Sequence, residues 1–146
     1  MKMTVTFCGH GDTADTPELR SWLRKTIEEQ IENGAKLFLL GGYGAFDGIA
    51  ASVVWELKKD YLEIESILVL PYLDRDVDSS KYDGTTYPPL ENVPRRYAIS
   101  KRNHWMVESA DVVIANVKYG WGGAAQTLEY AMKKKKKIYN YSHWEP

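Results

Sequence analysis

Apolar and polar positions along the chain switch repeatedly between two periods. Residues 3–8, MTVTFC, are β-branched and aromatic and stop at Gly9, which predicts a strand. The stretch that follows carries Leu19, Trp22, Leu23, Ile27 and Ile31 at helical spacing. Thr16 suits its N-cap, Pro17 its first position and Gly34 its C-terminal cap. KLFLL, 36–40, is apolar at every position after Lys36, as a strand covered on both faces must be. Residues 46–60 predict a second helix with Ile49, Ala50, Val53, Val54 and Leu57 inward. Then come a strand at 64–70, a helix at 95–110, a strand at 111–117, a helix at 122–135 and a strand at 137–141. Residues 71–94 break the rhythm. They hold four of the six prolines and predict a long loop with little regular structure.

Strands alternating with helices predict an α/β domain over 1–146: a parallel sheet of about five strands with helices on both faces, in three layers. Ligands in such folds bind outside the carboxyl ends of the strands, where the strand order reverses. Attention therefore goes to the loops at that edge.

Composition narrows the partners. A formal net charge of −1 over 146 residues provides no global field for DNA or anionic lipid, so nucleic acid is disfavoured as a partner. Cys8 is the single cysteine, which rules out an internal disulfide and predicts a buried strand thiol. No apolar run approaches the roughly 20 residues of a membrane span, and the N-terminus turns polar too soon for a signal peptide. No membrane association and a cytoplasmic location are expected.

Two of the edge loops are rich in glycine and run straight into helices: GGYGAFDG, 41–48, and KYGWGGAAQT, 118–127. Helix N-termini present free N–H groups and partial positive charge, and glycines let an anion come close. A phosphate or carboxylate is the natural guest. Neither loop has the G-x-x-x-x-G-K-[ST] of a nucleoside triphosphatase, and GGYGAF does not fit G-x-G-x-x-G.

GGYGAFDGIAA, RNHWMVESADVVIANV and WGGAAQTLEYA together resemble the SLOG superfamily, and within it the small single-domain branch of YpsA-type proteins. The superfamily also includes the Lonely Guy phosphoribohydrolases, DprA/Smf proteins and sensor domains of antiphage systems. The resemblance implies a Rossmann-like, doubly wound fold that binds nucleotides or nucleotide-derived signals, cyclic or ADP-ribose-type ones among them. It implies ligand contacts from Gly41, Gly42 and Gly44, from Arg102 and Asn103, and from Gly122, Gly123 and Thr127. The chain departs from Lonely Guy enzymes, whose motif is P-G-G-x-G-T-x-x-E. Here Leu40 replaces the proline, Ala45 the threonine and Gly48 the catalytic glutamate.

Further candidates come from position. Gly9 and His10 follow the first strand at the ligand edge. Tyr43 is expected to stack on a base while Phe46 enters the core. Asp47 has two open readings, a carboxylate steadied by a helix N-terminus or a ligand contact, and it is the catalytic candidate if the protein is an enzyme. Arg96 joins Arg102 as a phosphate-binding candidate. Lys133–Lys137 reads as a solvated helix end. His10, His104 and His143 have no ligand spacing, so no metal is expected; no cofactor is expected either.

The expected function is binding of a nucleotide-type small molecule, for sensing or sequestration. The alternative is cleavage of the N-glycosidic bond of a nucleoside monophosphate; a third reading is DprA-like binding of single-stranded DNA. A homo-oligomer is expected.

Overall fold

In the computed structural model, which describes residues 3–144, β1 (Met3–Gly9) sends its side chains alternately to two layers. Val5 and Phe7 pack with α1 (Pro17–Glu32) and α2 (Ala45–Leu57). Cys8, on the other face, packs with Val107 of α3 (Ala98–Ser109) and with Ala125 and Leu128 of α4 (Gly123–Lys133). β2 (Ala35–Leu40) repeats the division, with Phe38 and Leu40 on the first side and Leu39 on the second. So does β5 (Val112–Asn116): Val112 and Ile114 face one way, Val113 and Ala115 the other. A strand that is apolar in both phases needs cover on both faces, and helix pairs supply it.

The first helix starts as its sequence dictates. Thr16 Oγ1 accepts the Leu19 N–H at 3.1 Å, Pro17 takes the first position, and Gly34 leaves the last turn with φ +106°. The helix expected at 95–110 begins with a 3-10 turn, Arg95–Tyr97, before α3. Among the described residues no helix is long and apolar enough to cross a membrane.

With β3 (Glu65–Val69), β4 (Gly84–Thr86) and β6 (Lys137–Asn140), the sheet order is β4-β3-β2-β1-β5-β6, parallel at every pairing. The expectation of about five strands is corrected to six. The additional strand lies inside 71–94, where little regular structure is expected. GTT is too short and too polar to show a strand period. It pairs with Ile67–Val69 because Asp83 anchors it, its carboxylate taking the Lys58 ammonium and the Ser66 N–H, each at 2.8 Å. From β1 the chain winds outward to β4 on one side and resumes at β5 on the other. The loops after β1 and β5 therefore diverge, and a crevice opens between them.

Candidate functional site

That crevice is a cleft of about 270 Å³. Gly9 and His10 enter it from β1, and Tyr119, Trp121, Gly122 and Gly123 from the loop after β5. Tyr43 and Asp47 come from the head of α2, Arg102 and Asn103 from α3, and Thr127 from α4.

His10 joins the two loops. Its backbone N–H donates to Asn116 O at 3.2 Å, and its ring Nε2 accepts the Lys118 N–H at 3.0 Å. The neutral ring therefore carries its hydrogen on Nδ1. Burial holds the imidazole below its ordinary pKa; Lys118 adds to this and Asp12 opposes it. The ring stacks on Tyr119 at 3.8 Å, and Tyr119 stacks on Trp121 at 4.2 Å. This ladder runs from a buried histidine to an indole that is 69 % exposed.

The two helix heads beside the cleft have nearly the same backbone. Gly44 caps α2 with φ 89°, ψ 170°, and Gly122 caps α4 with φ 89°, ψ 175°. Their surroundings differ. At α2 the Ala45 N–H donates to Gly11 O at 3.0 Å, and the Asp47 carboxylate accepts the Tyr43 N–H at 3.3 Å. A Cβ on Gly44 would lie 2.8 Å from Gly11 Cα. The chain's own backbone thus takes the first N–H of α2 and crowds its cap glycine. At α4 a Cβ on Gly122 or Gly123 would meet nothing within 4 Å. Among the described residues the N–H groups of Gly123, Ala124 and Ala125 have no acceptor in the chain. Thr127 Oγ1 donates back to Gly123 O at 2.8 Å, which steadies this turn.

Arg102 is 1 % exposed. Its Nη1 donates to Gly41 O and Val69 O, both at 2.8 Å, so it ties together the carboxyl ends of β2 and β3. Its Nε donates to Asn103 Oδ1 at 2.9 Å. Burial lowers its pKa, against the pull of Asp47. Burial also pushes the Asp47 carboxyl up to about 6, with the Tyr43 N–H and Arg102 opposing. The same cause raises the Cys8 thiol far above its ordinary value, which makes it unreactive at neutral pH.

The structure thus brings Gly9, His10, Tyr43, Asp47, Arg102, Asn103, Gly122, Gly123 and Thr127 to one cleft. Gly41 and Gly42 line an adjoining cleft, again with Tyr43 and Arg102. Gly44 packs on Gly11, and Gly9 leaves room for the buried ring of Phe46. Arg96 lies on the 3-10 turn with its guanidinium over Tyr97 and lines neither cleft. Tyr119 and Trp121 are not among the residues that the sequence pattern singles out. Their signal is the spacing of aromatics among glycines in KYGWGG. Among the described residues no group of three His, Cys, Asp or Glu side chains is placed to hold a metal ion.

Residues 10–144 match the YpsA model, described as the YspA SLOG family. The chain belongs to the YspA SLOG family. This SLOG chain is 24 % identical over 136 residues to a UPF0398 protein of Bacillus thuringiensis, an alignment covering 84 % of the chain and 73 % of that relative. Its fold is similar to that of DNA processing protein A from Helicobacter pylori, whose structure is described for its single-stranded DNA binding mode. That likeness has a TM-score of 0.65 at 20 % identity and covers 94 % of the SLOG chain but 64 % of the H. pylori chain. The molybdenum cofactor carrier protein of Chlamydomonas reinhardtii is similar at TM-score 0.61 and 22 % identity, covering 96 % of this chain and 76 % of that one. At these identities the structural likeness establishes the Rossmann-like fold.

Proposed function

We propose that this SLOG protein binds a nucleotide-type small molecule at the β1/β5 cleft and holds it without turnover, for sensing or sequestration. The observation that carries this reading is the pairing, in one cleft, of an open helix head with an exposed ring ladder. Three unpaired N–H groups at α4 suit a phosphate. The faces of Trp121 and Tyr43, 69 % and 68 % exposed, suit a base. In this reading the glycines of the α4 loop receive the anion, while those of the α2 loop accommodate Gly11, Leu68, Asp47 and Arg102.

Native mass spectrometry of the purified protein, followed by titration with adenosine monophosphate, tests it. A co-purified nucleotide, or binding that weakens about tenfold or more in Trp121→Ala, supports the proposal. An empty protein that binds neither adenosine nor guanosine monophosphate overturns it.

A second reading rests on Asp47, a buried carboxyl raised to about 6 inside the cleft. Such a group is suited to proton transfer near neutral pH, and so to cleaving the N-glycosidic bond of a nucleoside monophosphate. Release of free base by the wild type, lost in Asp47→Asn with binding retained, favours this enzyme. The likeness to DNA processing protein A counts, weakly, against the expectation that nucleic acid is disfavoured as a partner. Single-stranded DNA binding with a steep salt dependence favours that third reading.

A further inference from the structure

A second cleft, of about 390 Å³, adjoins the first, and Tyr43, Ile99 and Arg102 line both. Arg102 stands at the junction with part of its fork unused. Nη1 and Nε have acceptors, whereas Nη2 has none among the described residues. Beyond Arg102 the walls are Tyr72 and Tyr82, with Val77 on the outer loop. The Asp76 carboxylate, in the same lining, has no hydrogen bond or ion pair among the described residues.

These walls are fixed to the scaffold. The guanidinium groups of Arg95 and Arg75 lie 4.1 Å and 5.0 Å from the centre of the Tyr72 ring, and Asp74 holds Arg95 at 2.8 Å. Tyr82 immediately precedes Asp83, which Lys58 and Ser66 bind to the sheet. The second cleft is therefore preformed, as small-molecule sites generally are. It has tyrosines in its lining, an unpaired carboxylate for hydroxyl or amine donors, and a guanidinium between it and the open head of α4.

We infer that the second cleft is a subsite for the second nucleoside of a ligand whose two nucleosides are joined through phosphates. One ring lies on the Trp121 face and the other enters the second cleft against Tyr82. The linking phosphates cross from the α4 head over the junction where Arg102 supplies positive charge, and Asp76 takes the ribose hydroxyls or an exocyclic amine of the distal nucleoside. This rests on the proposed function, because the first ring occupies the cleft described there.

Calorimetric titration with adenosine monophosphate and with diadenosine pyrophosphate tests the inference. The expected result is at least ~10-fold tighter binding of the dinucleotide, the worth of one further stacked base. Val77→Trp, which fills the second cleft from its outer loop, is expected to cancel that gain. Asp76→Asn is expected to reduce it about threefold or more. Melting curves check that both variants fold, and if Val77→Trp does not, Asp76→Asn decides alone. Equal affinity for the two probes overturns the subsite and leaves the proposed function standing. So does a gain that survives the substitutions. Failure of the wild type to bind either probe overturns both.

Discussion

Arg102 and Asp47 reach the end of β2 from opposite faces of the sheet and meet across Gly41. A Cβ there would lie 3.1 Å from Arg102 Nη2 and 3.1 Å from Asp47 Oδ2. The groups that crowd this glycine belong to the chain itself. The guanidinium bonds the Gly41 and Val69 carbonyls, and the carboxylate bonds the Tyr43 N–H.

Replacing Arg102 by Met keeps much of the volume and removes the donors. Two buried carbonyls then lose their partner, so we expect a loss of about 2–4 kcal/mol in urea unfolding. Arg102→Lys recovers only part of this. A single ammonium cannot reproduce a planar fork that serves Gly41, Val69 and Asn103 together.

Three glycines separate backbone strain from crowding. Gly48 lies on the exposed side of α2 with open space around its Cβ position, so Gly48→Ala is expected to stabilise by about 0.5–1 kcal/mol. Gly122→Ala has room but must adopt φ +89°, at a cost of about 1–2 kcal/mol. Gly44→Ala has the same φ and also meets the Gly11 backbone. It should cost more than Gly122→Ala, and thermal melts of the three variants rank them.

Asp47 and His10 impose opposite slopes on stability against pH. The Asp47 pKa is raised from 3.8 to about 6, so the folded state binds more protons than the unfolded state between these values. Its favourable contribution is complete below 3.8 and lost as pH rises through about 6. Asp47→Asn, which still offers an acceptor to the Tyr43 N–H, should gain on the wild type over that window, by up to ~3 kcal/mol at pH 7. Urea midpoints at pH 4, 5.5 and 7 measure the gap. A gap that stays constant with pH refutes this origin.

The His10 pKa is lowered from 6.5, so its contribution is present above 6.5 and lost as pH falls through the lower folded value. Protonation also ends its acceptance of the Lys118 N–H. Acidification should therefore loosen the Tyr119–Trp121 stack before the chain unfolds. Near-ultraviolet circular dichroism would record that loss, and His10→Phe, which has no proton to gain, should not show it.

Trp121 separates binding from folding. Its indole is largely exposed, so Trp121→Ala should leave stability within about 0.5 kcal/mol. The same change should weaken adenosine monophosphate about tenfold or more. Comparing melting curves with titrations shows whether the two effects divide in this way.

The layers of the fold are legible in the sequence because KLFLL and DVVIANV are apolar in both strand phases, which demands cover on both sides. GTT has no such phase, and its pairing depends on the distant contacts of Asp83. At the site, the sequence marks both glycine loops and cannot rank them. GGYGAF and YGWGGA lead into helices with the same cap geometry, and what divides them is tertiary: the Gly11 backbone takes the first N–H of one head and crowds its cap glycine. Arg102 sits amid the polar residues of SKRNH, and nothing local reveals that two strand ends draw its guanidinium inward. The ring ladder is hidden for a similar reason, since His10 and Tyr119 are far apart in the chain and meet only because β1 and β5 are neighbours.

The segment between β3 and β4 is pinned at both ends to the sheet, through Val69 and through Asp83. Between the pins it supplies Tyr72, Arg75, Asp76, Val77 and Tyr82 to the second cleft and no residue to the three apolar clusters apart from Tyr82 at the edge of one. Residues there can be exchanged with little effect on how the strands pair. Descendants of this chain can thus drift in what they recognise while inheriting the same frame, and divergence between relatives should concentrate in this stretch rather than in the strands beneath it.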